Sequence, residues 1–148
     1  MIDYTKPITD ENNEPLKIGI LAKHHCIRCI RIAESLINQG YSVYGNGNRE
    51  SYGNEIYKTY FVWKNQKQFK ESVKMMIGAG VRIFEWNNEP DAPAVWTREV
   101  INDMGVGDRV KLISNLHDLD LIRKGFITIE ERKMFNSSDG LVYVSHPI

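Results

Sequence analysis

Short apolar runs alternate along this chain with segments in which apolar residues recur every three or four positions. The first run, LKIGILA at 16–22, is almost entirely apolar, which is typical of a strand buried on both faces of a parallel sheet. Five later runs are rich in aromatic and β-branched residues and have strand length. We therefore predict six strands, at 16–22, 41–44, 60–63, 81–86, 110–114 and 141–144.

Helical periodicity fills most of the segments between these strands. From Cys26 onward the apolar residues Ile30, Ala33 and Ile37 form one stripe, and Gly40 is a suitable end for that helix. The same spacing predicts helices at 66–77, 93–104 and 129–135. The last of them is expected to begin with a capping box made by Thr128 and Glu131.

The order of these elements predicts the fold class. Strands and helices that alternate to the end of a chain favour an α/β domain with a parallel sheet and right-handed crossovers. We predict one doubly wound, Rossmann-like domain at 16–148, preceded by a loose polar leader at 1–15 and interrupted by an irregular stretch at 45–54. In such sheets ligands bind beyond the carboxyl ends of the strands, so the loops at 23–26, 87–91, 115–120 and 145–148 are the places to search for a site.

Composition excludes several classes of protein. The chain has 148 residues, enough for one domain, and its 19 Lys plus Arg balance 19 Asp plus Glu. A net charge of zero indicates neither a nucleic-acid partner nor an anionic membrane surface. Two cysteines cannot make a multi-bridge secreted framework, and no apolar run approaches the roughly 18 residues of a membrane span. We expect a cytoplasmic protein with no membrane span and no secretory signal.

One cluster of reactive side chains follows the first strand. It reads His24-His25-Cys26-Ile27-Arg28-Cys29 and stands at a helix start, where backbone N–H groups favour a thiolate. Cys-x-x-Cys is a redox arrangement, and two histidines with two cysteines also suit zinc. The competing interpretation is structural, because a cysteine on an apolar stripe often packs as a small hydrophobic residue. All three interpretations stay open.

Two polar clusters follow later strands. Asn87, Asn88 and Glu89 precede a proline and are able to bind a hydroxyl-rich ligand or to form a turn and helix cap. His117 and Asp118 are able to contact a sugar or phosphate, or to satisfy each other structurally. The chain contains no G-x-G-x-x-G after the first strand, no P-loop motif and no G-x-S-x-G elbow.

Three segments, taken together, resemble a known enzyme family. They are EWNNEPDAPAVWTREV, KLISNLHDLDLIRKG and EERKMFNSSDGLVYVSHPI, and they are similar to the N-terminal domain of GT-B-type glycosyltransferases that use nucleotide-sugar donors. The similarity spans roughly 17–148, with an Asn-rich loop before Glu-Pro, a His-Asp pair, and Ser-Asp-Gly before a short apolar strand and Val-Ser. Each motif is short, and their order carries the resemblance.

The resemblance implies a two-domain enzyme that transfers sugar to a hydroxyl acceptor. The N-terminal half would bind the acceptor, and a C-terminal half would hold the nucleotide-sugar without a required metal or other cofactor. His117 would face the transferred sugar, and Asp118 would support its loop. The acceptor side would be lined by the remaining matched positions, which are Lys23, His24, His25, Asn87, Asn88, Glu89 and Ser145.

Two features bear on that expectation. Family members often carry glycines in the loop after the first strand, whereas this chain has Ala22-Lys23-His24-His25, so phosphate contact by this loop is in doubt and acceptor contact stays open. The chain also stops in what looks like a strand-to-helix loop, which suggests that a C-terminal donor-binding domain is missing. The rival hypothesis is a standalone binding module, or a thiol-redox or metal module, built on His24, His25, Cys26 and Cys29.

Overall fold

A six-stranded parallel sheet forms the centre of the protein. The computed structural model describes residues 3, 5–24, 27–50, 53–87, 91–116 and 125–143. The sheet order is β3-β2-β1-β4-β5-β6, and every neighbouring pair is parallel. In chain order the elements are β1 (Lys17–Leu21), α1 (Ile27–Asn38), β2 (Ser42–Gly47), a 3₁₀ turn (Asn54–Ile56), β3 (Tyr60–Val62), α2 (Gln66–Gly78), β4 (Val81–Trp86), α3 (Ala92–Asp103), β5 (Lys111–Leu116), α4 (Ile129–Ser137) and β6 (Gly140–Tyr143).

Helices cover both faces of this sheet, so the predicted doubly wound α/β class is confirmed. One face packs against α1 and the 3₁₀ turn, around Ile20, Ala33 and Val43. The other face packs against α2, α3 and α4 and holds the larger core. Its buried side chains include Phe69, Val73, Met76, Phe84, Trp86, Ile101, Leu112 and Met134. None of the helices in the described ranges is long and apolar enough to cross a membrane.

The helix starts follow from local capping chemistry. The Thr128 side chain accepts from the Glu131 N–H and the Glu131 carboxylate accepts from the Thr128 N–H, so the predicted capping box is confirmed. Asn65 caps α2 by accepting from the Gln68 N–H at 2.9 Å. α1 ends two residues before Gly40, whose φ of 99° is in the left-handed region that glycine adopts without strain.

The second strand is longer than the sequence predicts. Residues 45–47, expected to be irregular, continue β2 and pair with β3 in the register Gly45↔Tyr60 to Gly47↔Val62. A side chain at either position would crowd a tyrosine, because a Cβ on Gly45 would lie 2.9 Å from the Tyr57 ring and one on Gly47 would lie 2.3 Å from the Tyr60 hydroxyl. Glycine in a strand thus marks a close approach of side chains to the backbone here, and not a turn.

The polar leader is fastened to the amino edge of the sheet and is not loose. Thr9 and Pro15 form an antiparallel bridge, so this segment folds back on itself. The Ile8 N–H donates to the Tyr41 hydroxyl at 2.8 Å, and Arg82 forms an ion pair with Glu11 at 2.9 Å. Composition did not reveal these contacts, because each joins the leader to a residue far along the chain.

Asp139 ties the turn between α4 and β6 to the rest of the fold. Its carboxylate accepts from the Leu112 N–H at 2.9 Å and from Arg98, whose Nε also donates to the Ser137 carbonyl at 2.7 Å. Partial burial raises the pKa of the Asp139 carboxyl, but the Leu112 N–H and the Arg98 charge lower it more, and the pKa lies below its ordinary value. The Ser-Asp-Gly segment noted in the sequence therefore has a structural role at the amino edge.

The Asp139→Asn substitution is expected to reduce stability at neutral pH more than in acid. A carboxyl whose pKa is lowered by folding stabilises the fold above its ordinary pKa of 3.8, and this contribution is lost as the pH falls through the lowered pKa. Because the Asp139 side chain is 31% exposed, the expected loss is only about 0.5–1 kcal/mol. Urea unfolding at about pH 7 and about pH 3 measures this difference.

The control is Asp103→Asn, which removes an exposed carboxylate at the end of α3. An Asp139→Asn loss that is as large in acid as at neutral pH would contradict the ionic explanation and would indicate a purely steric effect of the amide.

Candidate functional site at the carboxyl edge

The sheet order creates a crevice between β1 and β4. The chain leaves β1 through α1 toward β2 on one side, and it leaves β4 through α3 toward β5 on the other. The loops after β1 and β4 therefore separate at this point, and α1 and α3 lie on opposite faces. In open α/β sheets this switch point, at the carboxyl ends of the strands, is where ligands bind.

Lys23 and Asp91 join the two loops across this crevice. The Lys23 Nζ lies 3.3 Å from the Asp91 Oδ2, so the loop after β1 contacts the residue that precedes α3. The side chains are 47% and 39% exposed, and an ion pair in such contact with water contributes little to stability. A ligand that enters the crevice is therefore able to replace this contact at small cost.

The start of the loop after β1 is held from beneath by a buried polar network. The Ala22 N–H donates to the Asn46 Oδ1 at 3.1 Å, and the Ala22 carbonyl accepts from the Trp63 indole N–H at 3.2 Å. The Asn46 amide in turn donates to the Ser72 hydroxyl at 3.1 Å. Ala22 and Asn46 are fully buried, so both polar groups of the Ala22 backbone depend on side chains from other elements.

His24 lies at the surface of the same loop, beside the end of β2. Its Nδ1 is 3.5 Å from the Asn48 Nδ2, and the Asn48 N–H donates to the Lys23 carbonyl at 3.0 Å. The Lys64 ammonium contacts the Asn48 carbonyl. The predicted site residues Lys23 and His24 therefore share one exposed rim that β2 supports.

Arg28, Asn115 and Glu85 form a second polar group at this edge. The Arg28 Nη2 donates to the Asn115 Oδ1 at 2.5 Å, and the Asn115 Nδ2 donates to the Glu85 Oε1 at 3.0 Å. Asn115, expected in a loop, is the fifth residue of β5 and is only 6% exposed. Sequence reasoning missed Arg28 and Glu85 as members of the site, because each contacts Asn115 through the tertiary arrangement of α1, β4 and β5.

Asn87 has a supporting position under the loop that follows β4. Its N–H donates to the Leu21 carbonyl at 3.1 Å and extends the pairing of β1 with β4. Its side-chain amide donates to the Glu85 carbonyl at 3.2 Å, and the residue is 1% exposed. The structure thus gives Asn87 a part in shaping the crevice, and its contact with an acceptor stays a prediction.

The other predicted positions divide between the core and undescribed segments. Cys29, expected beside the apolar stripe of α1, is fully buried within it together with Ala33, which favours the packing interpretation of that cysteine. No group of three metal-binding side chains occurs within the parts of the chain that the structure describes. The predicted residues His25, Cys26, Asn88, Glu89, His117, Asp118 and Ser145 lie outside the described residues.

Comparison with known proteins shows the fold. The sequence matches no family model and no curated protein. A short-chain type dehydrogenase/reductase from Mycobacterium marinum shares the architecture with a TM-score of 0.55 and 12% sequence identity, over 84% of this chain and 64% of that chain. This likeness shows a Rossmann-like fold alone.

Two further solved structures are more distant in shape. Vestitone reductase from alfalfa (Medicago sativa) has a TM-score of 0.44 and 15% identity, over 82% of this chain and 48% of that chain. An N5-carboxyaminoimidazole synthetase from Staphylococcus aureus has a TM-score of 0.46 and 13% identity, over 66% of this chain and 24% of that chain. The chain spans less than two thirds of the length of each of the three proteins.

Proposed function

We propose that this chain is the acceptor-side domain of a cytoplasmic glycosyltransferase that moves a sugar from a nucleotide-sugar donor to a hydroxyl acceptor. The three sequence segments that resemble such enzymes motivate the proposal. Under this proposal a C-terminal domain supplies the donor site, and no metal is required. His117 faces the transferred sugar, and Asp118 supports the loop that contains His117.

The observation that carries the proposal is the chemistry of the crevice at the switch point. Its rim contains side chains with donors and acceptors that are able to hydrogen-bond hydroxyl groups, including Lys23, His24 and Asp91. The loop after β1 contains no glycine between Ala22 and the start of α1, so its backbone is less suited to approach a pyrophosphate closely. A polar rim without a glycine turn favours a hydroxyl-rich acceptor over a dinucleotide.

Binding measurements on the 148-residue chain test this choice of ligand. We expect neutral oligosaccharides and aryl glycosides to shift the backbone amide resonances of residues 22–24, 85–87 and 91 in a saturable way. UDP-glucose, GDP-mannose and NADPH are expected to leave the same resonances unchanged. The reverse pattern, with nucleotides bound and glycosides ignored, would overturn the acceptor-side assignment.

Turnover supplies an independent test. Because the proposed leaving-group site lies in another domain, the 148-residue chain should release no nucleoside diphosphate from a panel of nucleotide-sugars, as followed by ³¹P NMR. Robust sugar transfer by this chain alone would contradict the two-domain form of the proposal.

A further inference from the structure

A second cleft lies along α1 and opens at the same edge of the sheet. It is a shallow, open depression with a volume of about 500 Å³, so a ligand there would keep part of its surface in water. Positions 28, 31, 32 and 35 recur at helical spacing and therefore share one side of α1. The lining residues are Ile27, Arg28, Arg31, Ile32, Ser35, Leu36 and Asn115.

Two arginines give this cleft its charge. Arg28 is half-buried and is held by the Asn115 Oδ1 at 2.5 Å, whereas Arg31 is exposed one turn farther along the helix. Among the described residues neither guanidinium lies within 4.0 Å of a carboxylate. Glu85 lies on the other side of Asn115, and the Glu85 Oε1 accepts a hydrogen bond from the Asn115 side-chain amide. Within the part of the chain that the structure describes, the cleft therefore presents two positive charges with no carboxylate in an ion pair with either of them.

The walls between these charges are apolar. Ile32 and Leu36 are half-buried, and Ile27 keeps 70% of its surface exposed at the mouth of the cleft. Contact of so much isoleucine surface with water is unfavourable in free energy, and covering that surface with an apolar group is favourable. The combination fits a ligand with an oxyanion at one end and an apolar group beside it.

We propose that this cleft binds the phosphate monoester of an amphipathic acceptor, with the oxyanion between Arg28 and Arg31 and the apolar part against Ile27, Ile32 and Leu36. Two guanidinium groups match the charge of about −1.5 to −2 on a phosphate monoester, and their planar donors suit its oxygens. The inference rests on the proposed function, since it names the class of acceptor. It concerns a different set of residues from the crevice rim.

Titration with hexyl phosphate tests the inference without any sugar donor. We expect saturable shifts of the amide resonances of residues 27–36 and 115. Inorganic phosphate should bind more weakly because it lacks the apolar part, and neutral hexyl β-glucoside should not bind in this cleft. Added NaCl should weaken the hexyl phosphate complex, since charge attraction at a partly exposed site is screened by salt. A titration with hexanoate tests whether a carboxylate binds in this cleft as a phosphate monoester does.

Substitution of Arg31 gives the sharper result, because this side chain is exposed and its loss leaves the Arg28–Asn115 contact intact. Arg31→Gln is expected to weaken hexyl phosphate binding roughly tenfold or more, the usual effect of removing a charged hydrogen bond. The matched control, Arg132→Gln on the exposed side of α4, should leave the affinity unchanged. Arg28→Gln should weaken binding as well, with amide shifts that extend to Asn115.

Three outcomes would overturn the inference. They are binding of hexyl β-glucoside in this cleft as tightly as hexyl phosphate, an Arg31→Gln affinity equal to that of the unaltered chain, and shifts confined to the lysine-rich surface of α2. Each is separate from a failure of the proposed function. Glycosides that bind at residues 22–24 while hexyl phosphate does not bind would leave the glycosyltransferase proposal standing with a neutral acceptor.

Discussion

Phe69→Ala is expected to cost about 3–5 kcal/mol of the free energy of unfolding, the range for removing a large buried aromatic side chain. Phe69 is fully buried in α2 and packs edge-on against Trp63 and Trp96, with ring centroids 5.1 and 5.6 Å away. The alanine leaves a cavity beside the two indole rings, which contact each other, and this cavity cannot close without moving α2 or α3. Urea unfolding followed by tryptophan fluorescence and by circular dichroism measures the loss.

Phe69→Ala is also expected to disturb the loop after β1 at the candidate site. Trp63, one of the two rings against Phe69, donates its indole N–H to the Ala22 carbonyl at the start of the loop after β1. Phe126→Ala is the matched control, because Phe126 is 57% exposed before α4 and should change stability by less than about 0.5 kcal/mol. A Phe69→Ala loss below about 1 kcal/mol would show that the aromatic cluster is not tightly packed.

The buried strands were the most predictable part of the fold. The predicted strand at 81–86 coincides with β4, and the predicted helix at 66–77 differs from α2 by one residue. Both follow from signals that need no knowledge of the tertiary structure, namely apolar periodicity and terminal glycines such as Gly80 with its φ of 103°. The end of β2 escaped prediction because Gly45 and Gly47 usually indicate a turn, and only the rings of Tyr57 and Tyr60 explain their place in a strand.

The candidate site was less predictable than the fold. Lys23 and His24 were recognised because they follow a strand directly, and in the structure they line the crevice rim. Arg28, Glu85 and Asn115 come from three different elements, and the distances among them depend on the sheet order. The sequence predicts that strands alternate with helices, but it does not state which strands are neighbours. Cys29 shows that a motif with reactive residue types can contribute a core residue, which is the structural one of the three interpretations that the sequence left open.

Asn46→Ala is expected to have the second largest effect, a loss of about 2–3 kcal/mol, because it leaves the buried Ala22 N–H without an acceptor. The amide of Asn46 also links Ala22 to Ser72, whose hydroxyl donates to the Phe69 carbonyl at 2.7 Å. Loss of the amide therefore separates the loop after β1 from α2. We expect hydrogen exchange at the Ala22 amide to accelerate more than exchange in β4, as detected by NMR, because local opening precedes global unfolding.

A comparison with Ser72→Ala separates the two hydrogen bonds of Asn46. Ser72→Ala removes the acceptor of the Asn46 amide but keeps the bond from the Ala22 N–H, so it should cost less and should leave Ala22 exchange nearly unchanged. Asn102→Ala, at an exposed position of α3, is the control for loss of an asparagine. Equal losses from Asn46→Ala and Ser72→Ala, with Ala22 protected in both, would show that Asn46 stabilises α2 and does not position the loop. A larger Asn46→Ala effect with rapid Ala22 exchange would make Asn46 the residue that fixes Lys23 and His24 at the crevice.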